Sequence, residues 1–97
     1  MTNRIEFHPK TRVFLSRLIR EEWLALQASI DHLTDDAEVN NETIFAYFRA
    51  PIVYRLFYCP PFRIHFRFFA PALVSIIRIE RAPQLPPVTE WGEITDP

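Results

Sequence analysis

Five side chains within one stretch of this 97-residue chain have the types that phosphate recognition needs: Arg55, Arg63, His65, Arg67 and Arg81. Arginine presents a planar, permanently charged fork that matches phosphate oxygens. Histidine is the side chain that exchanges a proton near neutrality. Their spacing decides whether they meet. With Cys59-Pro60-Pro61 as a three-residue turn, Arg55 faces His65, Phe57 faces Arg63 and Val53 faces Arg67. The other side of that hairpin is apolar, pairing Leu56 with Ile64, Tyr54 with Phe66 and Ile52 with Phe68. With Ala70-Pro71-Ala72 as the next turn, Arg67 faces Ser75, His65 faces Ile77 and Arg81 falls near the Arg63 end. Side chains alternate along a strand with period two, so one sheet face gathers all five, with no acid among them. A turn one residue shorter or longer reverses one strand and breaks the cluster. Cations placed opposite one another are unfavourable by up to about 1 kcal/mol. A face that accepts this cost predicts an anionic, phosphate-rich partner.

The formal net charge of −1 speaks against that partner only when taken whole. Residues 1–43 carry five cations against eight acids, a net −3; residues 44–82 carry six arginines against Glu80, a net +5; residues 83–97 carry three acids. A basic middle thus lies between two acidic ends, and the ends weaken long-range attraction for a polyanion. With 48% hydrophobic and 24% charged residues the composition is that of a soluble globular domain. No apolar run reaches the ~18 residues of a membrane span. The opening MTNRIEFHPK lacks the layout of a secretory signal, which predicts a cytoplasmic location. One cysteine, Cys59, leaves no internal disulfide and no cysteine-based zinc site. A single glycine leaves no phosphate-cradling loop, and no metal or other cofactor is expected.

The elements that must position the five follow from periodicity. Arg4–His8 alternates polar and apolar, as a short strand does. Pro9 suits a helix start. From there Leu15, Ile19, Trp23, Leu26, Ile30 and Leu33 form one apolar stripe, with a kink or short turn expected near Arg20–Glu22. Residues 34–43 are polar and without period, hence a loop. Residues 44–81, rich in Phe, Tyr, Ile and Val and punctuated by proline turns, predict three strands, with Pro51 at a bulge or an edge. The expected fold is α+β in the order β-α-α-β-β-β, a small antiparallel sheet with one or two helices on one face. Residues 1–82 make the domain, and 83–97 an extended, proline-rich tail packed on it.

The strand run Val53-Tyr54-Arg55-Leu56-Phe57-Tyr58, then Phe62-Arg63-Ile64-His65-Phe66, then Leu73–Arg81 resembles the RelE/ParE superfamily of bacterial toxins. So does the strand–helix–helix order before it, with Glu21-Glu22-Trp23 and Leu33-Thr34-Asp35-Asp36 in matching places. The resemblance spans about residues 3–82 and implies a toxin held inactive by a cognate antitoxin. In the RelE branch it implies cleavage of mRNA on the ribosome. Arg63 then matches the strand arginine at the scissile phosphate, Arg55 the basic position on the preceding strand, and Arg81 the basic residue closing the last strand. The family's tyrosine after the last strand is missing, and so are the second-strand lysines.

Cleavage of RNA by its own 2′-OH needs a base, cationic help for the phosphorane and an acid for the leaving oxygen. That assigns His65 as the candidate base, with Arg63 and Arg81 beside it and Arg55 and Arg67 on the phosphates. His8 and His32 read as surface histidines. Two alternatives need no proton transfer. One is a non-catalytic ParE-like binder of gyrase or an inactive relative that binds protein. The other is a homodimer built on the aromatic sheet surface.

Overall fold

The computed structural model describes residues 2–81. The expected α+β class is what forms. Arg4–Phe7 is β1, Pro9–Ser16 is α1 and Arg20–Asp35 is α2. Four strands follow: β2 (Ile44–Arg49), β3 (Ile52–Cys59), β4 (Phe62–Phe69) and β5 (Leu73–Arg81). The sheet order is β1-β5-β4-β3-β2. The β2–β5 meander is antiparallel throughout, whereas β1 lies parallel to β5 at the edge, Arg4 beside Leu73 and Phe7 beside Ile76.

The helix starts are built locally. His8 caps α1, its Nδ1 accepting from the Lys10 N–H at 3.2 Å, with Pro9 in the first turn. Glu22 caps α2 by accepting the Ile19 N–H at 3.3 Å. With Glu21 it also sets negative charge against the positive end of the helix. The break between the helices falls at residues 17–19, just before the expected kink. In the loop that follows, Asn40 Oδ1 accepts the N–H groups of Glu42, Thr43 and Ile44 at 2.7, 2.8 and 3.0 Å. That gathers the chain immediately ahead of β2.

One strand more forms than the spacing predicts. Pro51 sits between β2 and β3, in a turn, where its fixed φ is an asset rather than a gap in the ladder. Both helices cover the same face of the sheet. Leu26, Ile30 and Leu33 of α2, with Phe14 and Leu15 of α1, pack on Phe57, Phe62, Ile64, Phe66, Val74 and Ile76. The opposite face carries a second apolar cluster of Tyr47, Tyr54 and Leu56, with Ile52 and Ile77 beside it. No helix among the described residues is long and apolar enough to cross a membrane.

Candidate functional site on the sheet face opposite the helices

The β3–β4 turn contains two residues, Pro60 and Pro61, and this settles which side chains share a face. Tyr58 pairs with Arg63, Phe57 with Ile64, Leu56 with His65 and Arg55 with Phe66. The three-residue turn expected from Cys59-Pro60-Pro61 is one residue too long, and the consequence is the reversal of one strand. Arg63, His65 and Arg67 of β4 share the open face with Leu56 and Tyr58, while Arg55 lies on the helix side with Phe66. Cys59 is pulled into the ladder opposite Phe62, buried, with burial pushing its thiol up to about 11.

Between β4 and β5 the second turn behaves as expected, and Arg67 does face Ser75. A bulge at His65/Phe66 then shifts the register by one. His65 therefore pairs with Arg78 rather than Ile77, Arg63 pairs with Glu80, and Phe62 pairs with Arg81. The bulge turns Arg78 and Glu80 onto the open face and sends Arg81 to the helix side.

The cluster consequently has an acid at its centre. Glu80 Oε1 accepts from Arg63 Nε and from His65 Nε2, the latter at 2.7 Å. Its other oxygen lies 3.1 Å from Arg78 Nη2. Burial alone would raise the Glu80 carboxyl. The hydrogen bonds and charges of His65 and then Arg63 outweigh it and bring it down to about 2, so the group is ionised at neutral pH. An ionised carboxylate only accepts, so His65 Nε2 carries a proton. The opposite ring nitrogen, Nδ1, lies 2.8 Å from Tyr47 Oη, and the two rings meet edge-on. His65 is 0% exposed, and both its nitrogens are held.

The five expected residues thus divide. Arg63, His65 and Arg67 come together on the open face, with Arg67 resting over the Phe69 ring at 4.6 Å. Arg55 donates to the Ala37 carbonyl at 2.7 Å and stacks on Phe68 at 4.8 Å, closing the end of α2 against the sheet. Arg81 makes two hydrogen bonds of 3.0 Å to Glu22 of α2 and sits over Phe14 at 5.3 Å. Of the two remaining histidines, His32 stacks against Phe57 and His8 is the α1 cap.

The sequence reasoning missed Tyr47, Arg78 and Glu80. A two-residue reading of Pro60-Pro61 would have flagged the reversal of Arg55. The bulge that aims Glu80 and Arg78 leaves no mark in the residue types. Among the described residues no group of His, Cys, Asp or Glu is placed to hold a metal ion. The tail expected to pack on the domain, 83–97, lies outside the described residues. Chemically, the face offers a cationic strip with one internal counter-ion and a histidine whose ring nitrogens face protein on both sides. No family model matches the chain, and no curated protein matches its sequence.

Proposed function

We propose that the chain is a toxin-type protein of the RelE/ParE kind, paired with a cognate antitoxin, that acts by binding a protein target rather than by cutting mRNA. The observation that carries this reading is the sealing of His65. A general base must reach the proton it removes, and here one ring nitrogen faces Tyr47 and the other faces Glu80 in a fully buried position.

The arginines support the same reading. A phosphate between Arg63, Arg78 and His65 would have to displace a carboxylate that already takes all three. Arg55 and Arg81 are drawn to the helix side, where they bind Ala37 and Glu22. Arg67 and the outer part of Arg78 are cationic contacts of the open face, together with Arg49 over the Tyr47 ring and Arg4 beside Glu6 at its two edges. They suit an acidic protein surface, where a few well-placed charges set orientation. The β-α-α-β order and the strand pattern carry the resemblance to the toxin superfamily. Ribosome-dependent cleavage of mRNA is the competing reading, and it requires Glu80 to leave Arg63.

The test is inducible expression in bacteria, reading growth. Growth arrest relieved by Arg67→Glu combined with Arg78→Glu, and retained by Arg55→Gln, supports the reading. Growth arrest lost in Arg55→Gln while the folded protein accumulates normally contradicts it.

A further inference from the structure

β2 is the last strand of the sheet, and its outer backbone edge is open over one short stretch. The Tyr58 N–H donates to the Thr43 carbonyl at 2.7 Å, so Thr43 and Tyr58 form a hydrogen-bonded rung that continues the β2–β3 ladder. Rungs alternate. Phe45, Tyr47 and Arg49 therefore direct their backbone groups at β3, whereas Ile44, Ala46 and Phe48 direct theirs outward. The Ile44 groups are taken within the chain. Its N–H donates to Asn40 Oδ1 at 3.0 Å, and its carbonyl accepts from the Asn40 and Asn41 N–H groups at 3.0 and 3.1 Å. Among the described residues nothing takes the N–H of Ala46 or of Phe48, or the Ala46 carbonyl. The Phe48 carbonyl accepts a 3.3 Å bond from the neighbouring Arg49 side chain, which leaves a second lone pair. The side chains along this stretch are apolar and bare. Phe48 is 60% exposed and its cross-strand partner Val53 61%, on the helix side of the sheet but outside the core that α1 and α2 cover.

We infer that this edge pairs with β2 of a second copy of the chain, antiparallel about a two-fold axis at Tyr47, so that two sheets become one. The spacing of the open rungs fixes the register. Ala46 of one copy stands opposite Phe48 of the other, each N–H meets a carbonyl, and the two-fold repeats the pair to give four hydrogen bonds. An axis at Ala46 would instead set Phe48 against Ile44, whose groups Asn40 and Asn41 already hold. At the Tyr47 axis each exposed Phe48 ring packs on the small Ala46 of the second copy, and the two Phe48 residues are diagonal neighbours at about 7–8 Å. Arg49 falls opposite Phe45 of the second copy, not opposite another arginine. The other edge of the sheet is protected. The Arg4 N–H donates to the Ala72 carbonyl, so in β1 it is Ile5 and Phe7 that direct their groups outward. A two-fold there sets Glu6 against Glu6, and the Arg4 and Glu6 side chains, 75% and 52% exposed, cover that short strand with charge. A contact of this length buries little area, so the dimer is weak and reversible.

Sedimentation velocity of the full-length chain across a wide range of concentration tests the pairing. The wild type is expected to move from one chain mass toward two as concentration rises, and no further, because the two-fold uses up the edge. Ala46→Pro removes an outward N–H without touching the β2–β3 ladder. It deletes two of the four intermolecular bonds and is expected to weaken association about tenfold or more. Glu6→Lys, on the protected edge, is expected to leave association unchanged. A wild type that keeps one chain mass at every concentration overturns the inference. So does association beyond two copies, association that survives Ala46→Pro, or association that Glu6→Lys abolishes. If Ala46→Pro loses the native circular dichroism, Phe48→Lys decides in its place. That variant keeps every backbone group, removes the ring and brings two like charges together across the axis, so a dimer as tight as the wild type's overturns the inference. These outcomes do not depend on whether the protein arrests growth.

Discussion

His65 and Glu80 are hydrogen-bonded at 2.7 Å although they are not partners in the strand ladder: His65 pairs with Arg78, and Glu80 pairs with Arg63. The contact is diagonal and is made inside a sheet, so one carboxylate joins two rungs. Tyr47, two strands away, completes the row through Nδ1. This row binds β2, β4 and β5 together from the face the helices do not touch.

Acid should weaken the fold through Glu80. Its carboxyl titrates near 4.5 when unfolded and at about 2 when folded. The folded value is the depressed one, so the stabilisation is complete above about pH 5 and is lost as pH falls toward 2, amounting to about 2–3 kcal/mol. Urea unfolding of the wild type and of Glu80→Gln, compared at pH 7 and pH 3, measures it. The gap between the two proteins should shrink at pH 3; a gap that stays constant would sink this assignment.

Tyr47→Phe removes one oxygen and leaves His65 Nδ1 buried without its partner. The expected loss is about 1–3 kcal/mol, the usual penalty for an orphaned buried polar atom. The same change at Tyr58, which is not buried, should cost less. Chemical denaturation of both variants decides the point.

Cys59 should be a silent thiol. Burial raises it to about 11, so almost no thiolate is present at pH 8. A disulfide-exchange reagent should react slowly with the native chain and at once in denaturant. Fast reaction with the native protein would mean that β3 and β4 open at that end.

Arginines on the two faces should behave differently in binding. Arg67→Gln and Arg78→Gln should each shorten retention on a polyanionic column, whereas Arg55→Gln and Arg81→Gln should leave it nearly unchanged. Equal effects at all four would argue that retention reads net charge and not the sheet face.

Much of this architecture could be read from residue types. The stripe containing Leu26, Ile30 and Leu33 made α2 legible, because a helix writes its buried side into the sequence at a period no strand shares, whereas the Ile19–Glu22 cap that starts it was not read from the residue types. The β4–β5 turn was legible too, and with it Arg67 opposite Ser75. The site was legible only in part. Pro60-Pro61 gives a turn in either length, and the one-residue difference moved Arg55 to the other side of the sheet. The bulge at His65 had no sequence signature at all, and it placed Glu80 among the arginines. Long-range pairing, not local preference, decides both.

The central claim is that His65 holds the sheet together and does no chemistry on RNA. Primer extension on cellular mRNA after induction of the full-length chain tests it most directly, with the wild type run beside Tyr47→Phe. The account predicts growth arrest with no new codon-phased mRNA ends in either protein. Phased cleavage by the wild type that disappears in a folded Tyr47→Phe variant would contradict it.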